Sequence, residues 1–260
     1  MLLGGKIAIV SGIGPGLGRD AALALARHGA DLAIAARSEA SLRRLEKEVE
    51  ALGRRVLGVR TDITHKADCL RLVEETCKAF GKIDVLVNNA FHPGSYVPIE
   101  NDDVEATWRT PFDVNVLGTL KLTQAVLPVM KAQHGGSIVM INSMIIRQPL
   151  PTMAGYAASK AALMAATQTL AREVGAYGIR VNSVVPGYIW GPSLEGYFAM
   201  QAKQQGVDAK AVYDNVAKQI ALGHIPTSEE IAGAVVFFAS DLSQVVTGQA
   251  LDVNGGHELH

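Results

Sequence analysis

Seven short apolar runs, each divided from the next by a segment of helical period, constrain this chain more than any other feature. Residues 6–10, 32–36, 56–60, 83–87, 137–142, 180–185 and 250–253 read as strands, several of them apolar on both faces. A strand with no polar face cannot border water, so the intervening helices must cover both sides of a parallel sheet. Helical periodicity places those helices at 17–28 (ended by Gly29), 41–52, 66–80, 104–133, 154–177 and 227–240. Pro111 and Pro128 are expected to break or bend the fourth of them. Right-handed crossovers then wind the sheet doubly and put a ligand crevice at the carboxyl ends of its strands. The predicted fold class is α/β: a Rossmann-like doubly wound sheet of about seven parallel strands with helices on both faces. No linker, repeat or low-complexity tract divides residues 1–260, which predicts a single domain. The long irregular stretch 186–223, helix-like around 200–220, is expected to form a substrate lid at about 188–222.

Between the first strand and first helix runs Ser11-Gly12-Ile13-Gly14-Pro15-Gly16-Leu17-Gly18. Glycines allow a tight turn there and let backbone N–H groups approach a pyrophosphate at the helix N-terminus. A glycine pattern by itself also marks simple turns; its place in an alternating chain makes dinucleotide binding the better reading. Nineteen residues past Gly18 the second strand ends in Ala36-Arg37-Ser38. A carboxylate at that position would hold the ribose hydroxyls of NAD, whereas the fork of Arg37 suits the 2′-phosphate of NADP. NADP is therefore the preferred cofactor, with NAD as the alternative and a solvated Arg37 as the competing structural reading. Asp62, ending the third strand, is placed to accept from an adenine amino group, and Asn88-Asn89-Ala90 borders the same crevice.

Tyr156 and Lys160 stand four apart in Gly155-Tyr156-Ala157-Ala158-Ser159-Lys160, thirteen residues after Ser143. On a helix that spacing brings phenol and ammonium to one face. A nearby lysine charge favours the phenolate and lowers the tyrosine pKa, which suits a general acid or base. The pair alone is equally consistent with a partly buried ring beside a solvated amine.

With these residues assembled, the chain resembles the short-chain dehydrogenase/reductase family from Lys6 to about Gly256. The markers are Gly12, Gly16 and Gly18, then Asp62, Asn88-Asn89-Ala90, Asn115, Ser143, Tyr156, Lys160 and Pro186-Gly187. The resemblance implies a catalytic set of Asn115, Ser143, Tyr156 and Lys160. It implies a cofactor site of Gly12, Gly14, Gly16, Leu17, Gly18, Arg37, Asp62, Ile63, Asn89, Ala90, Tyr156, Lys160, Pro186, Gly187 and Ile189. Tyr156 would exchange a proton with the substrate oxygen, and Ser143 would hydrogen-bond that oxygen. Lys160 would lower the tyrosine pKa, and Asn115 would interrupt its helix and hold a water leading from Lys160 to solvent. The activity implied is hydride transfer between a nicotinamide cofactor and a secondary alcohol or ketone. Alternatives are a 3-oxoacyl thioester reductase on acyl carrier protein or CoA, a hydroxysteroid or alicyclic alcohol dehydrogenase, and a non-catalytic nucleotide-binding redox sensor. An enoyl reductase is disfavoured, since that relative spaces its tyrosine and lysine by seven. The last segment, Leu251-Asp252-Val253-Asn254-Gly255-Gly256, is similar to the family's final strand and implies a homotetramer or homodimer.

Two departures stand out: Ser11 replaces a threonine, keeping the hydroxyl, and Phe91 replaces the usual glycine after Asn88-Asn89-Ala90. Phe91, Ile145 and Trp190 are the candidate substrate contacts, the last two within an apolar set that also holds Met144, Ile146, Leu150, Met153, Tyr188, Leu194, Tyr197 and Phe198. A net charge of −1 without a basic stripe argues against nucleic acid or an anionic membrane surface as partner, leaving a small molecule. No apolar run reaches the roughly 18 residues of a membrane span, no signal peptide opens the chain, and Cys69 and Cys77 read as unpaired thiols. A cytoplasmic setting is expected. His257-Glu258-Leu259-His260 lacks the spacing of a helical zinc site, so no metal is expected.

Overall fold

A computed structural model describes residues 1–259. Seven strands, β1 (Ile7–Ser11), β2 (Asp31–Ala36), β3 (Val56–Arg60), β4 (Val85–Asn88), β5 (Gly136–Ile141), β6 (Ile179–Pro186) and β7 (Ala250–Val253), form one sheet. Their order is β3-β2-β1-β4-β5-β6-β7, and every pairing is parallel. The chain reverses its direction of travel across the sheet between β1 and β4, which opens a crevice at their carboxyl ends.

Alternation along each strand divides the core in two. Ala8 and Val10 of β1 point to the face covered by α1 (Leu17–Arg27), α2 (Glu39–Glu50) and, past the site, Ile231, Val235 and Phe238. Ile9 points the other way, to Leu72 of α3 (Lys66–Phe80), Leu122 and Val126, and Leu163. The remaining helices are α4 (Val104–Thr107), α5 (Arg109–Phe112), α6 (Thr119–Gln133), α7 (Ala154–Val174), α8 (Pro192–Gln205), α9 (Ala209–Ala217) and α10 (Ser228–Ala239). The last opens on a capping box in which Thr227 and Glu230 satisfy each other's backbone N–H.

The helix predicted at 104–133 is in fact four pieces: α4, α5, a π-helical turn at Asp113–Gly118, and α6. Pro128 does not end α6. It lies on the exposed side, where the carbonyl four residues back, on exposed Gln124, faces water. The fourth strand starts at Val85 rather than Ile83, because the Ile83 backbone is engaged by the side-chain amide of Gln133 in place of a ladder (3.0 and 2.8 Å). Stretch 186–223 is more regular than its composition suggests. Pro192 opens α8, Gly206 in the left-handed region (φ +67) closes it, and Asp208 caps α9 by accepting from Lys210 N–H (2.7 Å). Both helices share a small core of Phe198, Ala202, Val212, Ile220 and Ile225, apart from the two sheet cores. No helix among the described residues is long and apolar enough to cross a membrane.

Candidate active site

The loop after β1 is shaped by glycine at three positions for three reasons. Gly12 sits at φ +73, and a methyl there would run into the Ala90 backbone. A methyl on Gly18 would meet the Gly12 carbonyl and the Asn89 amide. Gly16 adopts φ +101 as the N-cap of α1 and offers no side chain to its first N–H groups, which stay open to an anion. Gly14 has no such reason: its φ is not positive, and a methyl on it would meet nothing within 4 Å. Gly14 thus leaves open space against the loop, and the cradle fits a diphosphate.

From this cradle a cleft of about 570 Å³ runs toward α2, within the range of small-ligand sites. Gly12, Gly14, Arg37, Asp62, Ile63, Asn89, Ala90 and Phe91 line it. Arg37 is exposed and makes no ion pair among the described residues. Beside it Ser38 caps α2, accepting from Ser41 N–H at 3.4 Å. Burial alone would raise the Asp62 carboxyl, but hydrogen bonds from the Thr64 hydroxyl (2.7 Å) and backbone (2.9 Å) hold it below the usual range. Asn89 braces the loop by donating to Gly12 O at 2.7 Å.

A second chamber of about 690 Å³ continues past Gly14 and Phe91, reaching Leu17, Ser143, Tyr156, Lys160, Pro186, Gly187, Ile189 and Trp190. The structure thus brings the expected cofactor residues along one continuous cleft. Ser143 follows β5, Tyr156 and Lys160 lie on the first two turns of α7, and Asn115 sits in the π-helical turn. The π-turn is the interruption expected at Asn115. Its amide, however, is fully engaged elsewhere. Oδ1 accepts from His92 N–H (2.7 Å), while Nδ2 donates to His92 O (3.0 Å) and to Ser159 Oγ (2.9 Å). Ser159 Oγ in turn donates to Tyr156 O (2.7 Å). Asn115 therefore ties the loop after β4 to the turn that carries the tyrosine.

Lys160 is buried and donates to Ile141 O at 2.8 Å. Burial pushes its ammonium down to about 7. Tyr156 is half-buried as a whole, but its phenol lies deep: burial pushes it up to about 12, opposed by a hydrogen bond with Ser143 and aided by the Tyr96 phenol. The expectation that Lys160 lowers the tyrosine pKa is therefore not met in the protein alone. The ammonium is committed to Ile141 O and lies 5.8 Å from the phenol ring centre, and desolvation outweighs what remains.

Between about pH 7 and the ordinary lysine value of 10.5, the folded protein holds one proton fewer at Lys160 than the unfolded chain. Stability therefore rises with pH through that window, by at most about 1.4 kcal/mol per unit, and below it the cost of burying the ammonium is constant. Near pH 10 the raised tyrosine begins to add the opposite slope. In urea titrations without added cofactor, the gain between about pH 7.5 and 9.5 is expected to be up to about 2–3 kcal/mol larger than in Lys160→Met. Equal gains in the two proteins would mean that Lys160 is not desolvated as described.

Three residues support this centre, of which Asn142 and Asp102 were not anticipated. Asn142, 2% exposed, accepts from Ser143 N–H (2.9 Å) and donates to Lys160 O (3.3 Å), clipping the two elements together. Asp102 gathers Ser95, Thr107 and the Trp108 indole (3.1, 2.9 and 3.1 Å). Trp108 lies against Gly155, where any methyl would strike its ring (2.9 Å). The only signal for Asn142 was its place before Ser143; Asp102 lies within seven residues of its partners, and only the contact of Trp108 with Gly155 joins distant segments.

Of the substrate candidates, Phe91 is 58% exposed and lines both chambers, its ring 6.3 Å from that of Tyr156 and 6.0 Å from Lys160 Nζ. Trp190 lines the second chamber, packs on Tyr213 (4.6 Å) and donates its backbone N–H to Pro226 O (2.8 Å). Ile145 is a correction: it is buried (4% exposed) and does not line the cleft, because its N–H is drawn in to Ser143 Oγ (3.3 Å). His257 stacks on Tyr188 (5.7 Å), and His260 lies outside the described residues. No group of His, Cys, Asp or Glu among the described residues could hold a metal ion.

Comparison with known proteins fits this geometry. A sequence profile described as Enoyl-(Acyl carrier protein) reductase matches residues 12–258. An L-rhamnose 1-dehydrogenase (NAD(P)(+)) of Sphingomonas sp. is 37% identical, over 98% of this chain and 97% of that protein. A 3-oxoacyl-(acyl-carrier-protein) reductase of Thermotoga maritima is 33% identical, over 98% and 99%. The crystal structure of an NAD+-bound xylitol dehydrogenase superposes with a TM-score of 0.91 at 31% identity, covering 98% of this chain and 100% of that one.

Proposed function

The chain belongs to the short-chain dehydrogenase/reductase family of NAD(P)-dependent oxidoreductases, and from that premise we propose that it reduces a ketone to a secondary alcohol with NADPH preferred. The observation that carries this reading is the Tyr156 phenol beside Ser143 at the end of a glycine-cradled cleft, where it can exchange a proton with a substrate oxygen.

When bound, the nicotinamide supplies the hydride. Gly12, Gly14, Gly16 and the open N-terminus of α1 hold the diphosphate, Asp62, Ile63, Asn89 and Ala90 border the adenosine, and Pro186, Gly187 and Ile189 close the far side. Ser143 donates to the substrate oxygen, and its own place is fixed by Asn142. Tyr156 gives its proton to that oxygen as negative charge develops there. Lys160, whose ammonium is disfavoured by burial, is the buried group through which a proton returns, and Asn115 holds the turn that presents the tyrosine.

Arg37, exposed and unpaired beside the N-terminus of α2, supports NADP as the preferred cofactor. Arg37→Gln is expected to weaken NADPH binding about 10–100-fold, as for loss of a charge-assisted contact, with little change for NADH. Cofactor fluorescence titrations check this; an unchanged NADPH to NADH ratio would assign the arginine to solvent. A panel of ketones and 3-oxoacyl thioesters, followed by loss of reduced-cofactor absorbance, tests the reaction itself. A blank with both cofactors would favour a nucleotide sensor, and a preference for the thioesters would favour the acyl reductase reading.

The assembly we infer is a homotetramer, supported by β7 at the edge of the sheet and by exposed Leu251 and Val245. Free thiols at Cys69 and Cys77 agree with a cytoplasmic setting.

A further inference from the structure

One face of α2 looks onto the cleft. Ser41, Arg44 and Glu48 follow at helical spacing beside the buried stripe of Leu42, Leu45 and Val49. Ser41 lines the first chamber with Arg37 and Ser38, while Arg44 and Glu48 line the second with Pro15 and Gly16. Gly14 belongs to both chambers, so Arg37 and Arg44 flank one short stretch of the cleft. Arg44 stands about 4.5 Å beyond Ser41 along the helix axis. Helical side chains lean back toward the N-terminus, the end of α2 at which Arg37 and Ser38 lie.

The charges on these walls are matched except at two places. Arg19 of α1 gives its guanidinium to both oxygens of Glu48 and to Asp20 (2.8 Å), and Asp20 also accepts from Ser228. Glu48 stands four residues after Arg44, the usual spacing of a helical ion pair, yet it is spent on Arg19. Asp62 is engaged by Thr64 and His65, and Lys160 by Ile141 O. The guanidinium groups of Arg37 and Arg44 have no ion pair among the described residues. Two bare guanidinium groups on one wall repel each other and contribute nothing to the fold; an anion between them reverses the sign. A phosphate monoester suits the pair, since it carries a charge of about −1.5 to −2 at neutral pH and several free oxygens for forked donors. The diphosphate offers fewer free oxygens on each phosphorus and is already met by the N–H groups of the glycine loop.

We propose that Arg44 is the second arm of a clamp on the 2′-phosphate of NADP, with Arg37 the first, so that cofactor choice is divided between the two arginines. This rests on the NADP reading and adds to it a mid-helix residue that no sequence motif marks. Adenosine 2′,5′-bisphosphate and adenosine 5′-monophosphate serve as probes, since they differ only in the 2′-phosphate. Titrated calorimetrically into the full chain, the bisphosphate is expected to bind about 100-fold or more tighter, as two charge-assisted contacts would give. Arg37→Gln and Arg44→Gln should each cut that ratio about tenfold, and the double variant should bring it near one. Arg44→Lys should fall between, keeping the charge and losing the fork. Affinity for the monophosphate should stay within about threefold throughout, and thermal melts should not move, because Arg44 holds no partner in the fold.

A large ratio that Arg44→Gln leaves unchanged overturns the inference while keeping the NADP reading, with Arg37 as its only arm. So does an equal loss of both probes in Arg44→Gln, which would place that arginine on the 5′-phosphate instead. A ratio near one in the unaltered protein overturns the NADP reading, and this inference with it.

Discussion

Replacing Tyr156 by phenylalanine is expected to lower kcat for NADPH-dependent ketone reduction by about 10²–10⁴-fold, the usual contribution of a positioned proton donor. The substitution removes one oxygen and leaves the ring against Phe91. Ser143 does not become an orphan, because its Oγ also accepts from Ile145 N–H. Nor does the cradle around Gly12, Gly14 and Gly16 touch the phenol. NADPH affinity by fluorescence titration should therefore stay within about threefold, and the melting temperature within a few degrees. Loss of kcat with retained affinity is the signature of an interaction made in the transition state. Retention of most of the turnover would remove Tyr156 as proton donor and return attention to Ser143 and Lys160.

The same centre separates what the sequence could express from what it could not. The glycine loop was legible because its constraint is local: a strand, a turn of positive φ at Gly12 and Gly16, and a helix follow within a dozen residues. The strands were legible because burial on both faces leaves apolar runs; their bounds shift by one residue at several ends, and by two at Ile83, where the distant side chain of Gln133 intervenes. Four-residue spacing placed Tyr156 and Lys160 on one face of α7 but carried no information on depth. Depth decides their pKa values, so the expected lowering of the tyrosine by the lysine appears in the folded protein as two separate desolvation effects. Asn115 illustrates a second limit. An interruption could be expected there, yet its partners, His92 and Ser159, lie on two other segments. The α8–α9 pair was legible only as one helix-like piece around 200–220, although Pro192, Gly206 and Asp208 announce two helices and an earlier start. Long polar positions between few apolar ones obscured a helix whose packing surface is a small separate core.

Two glycines of the cradle are expected to answer the same substitution in opposite ways. Gly12→Ala places a methyl at φ +73 against the Ala90 backbone. Left-handed strain of roughly 1–2 kcal/mol and overpacking of about 1–3 kcal/mol add, since backbone on both sides cannot yield as a flexible side chain would. The melting temperature should fall by about 5–15 °C, and NADPH binding should fall with it because Asn89 and Ala90 border the same loop. Gly14→Ala meets nothing within 4 Å and needs no positive φ. It should leave the melting temperature unchanged or slightly raised, since alanine has fewer unfolded conformations to lose. Its methyl instead occupies the space a diphosphate needs, so NADPH affinity should drop about 10–100-fold while the fold stays intact, the cost of lost close contacts and displaced hydrogen bonds. Calorimetric melts paired with fluorescence titrations read both effects. If Gly14→Ala bound NADPH as the unaltered protein does, the diphosphate would have to lie elsewhere along the cleft. Affinity lost at 14 without stability lost would instead mean that this glycine is set by the ligand and Gly12 by the fold.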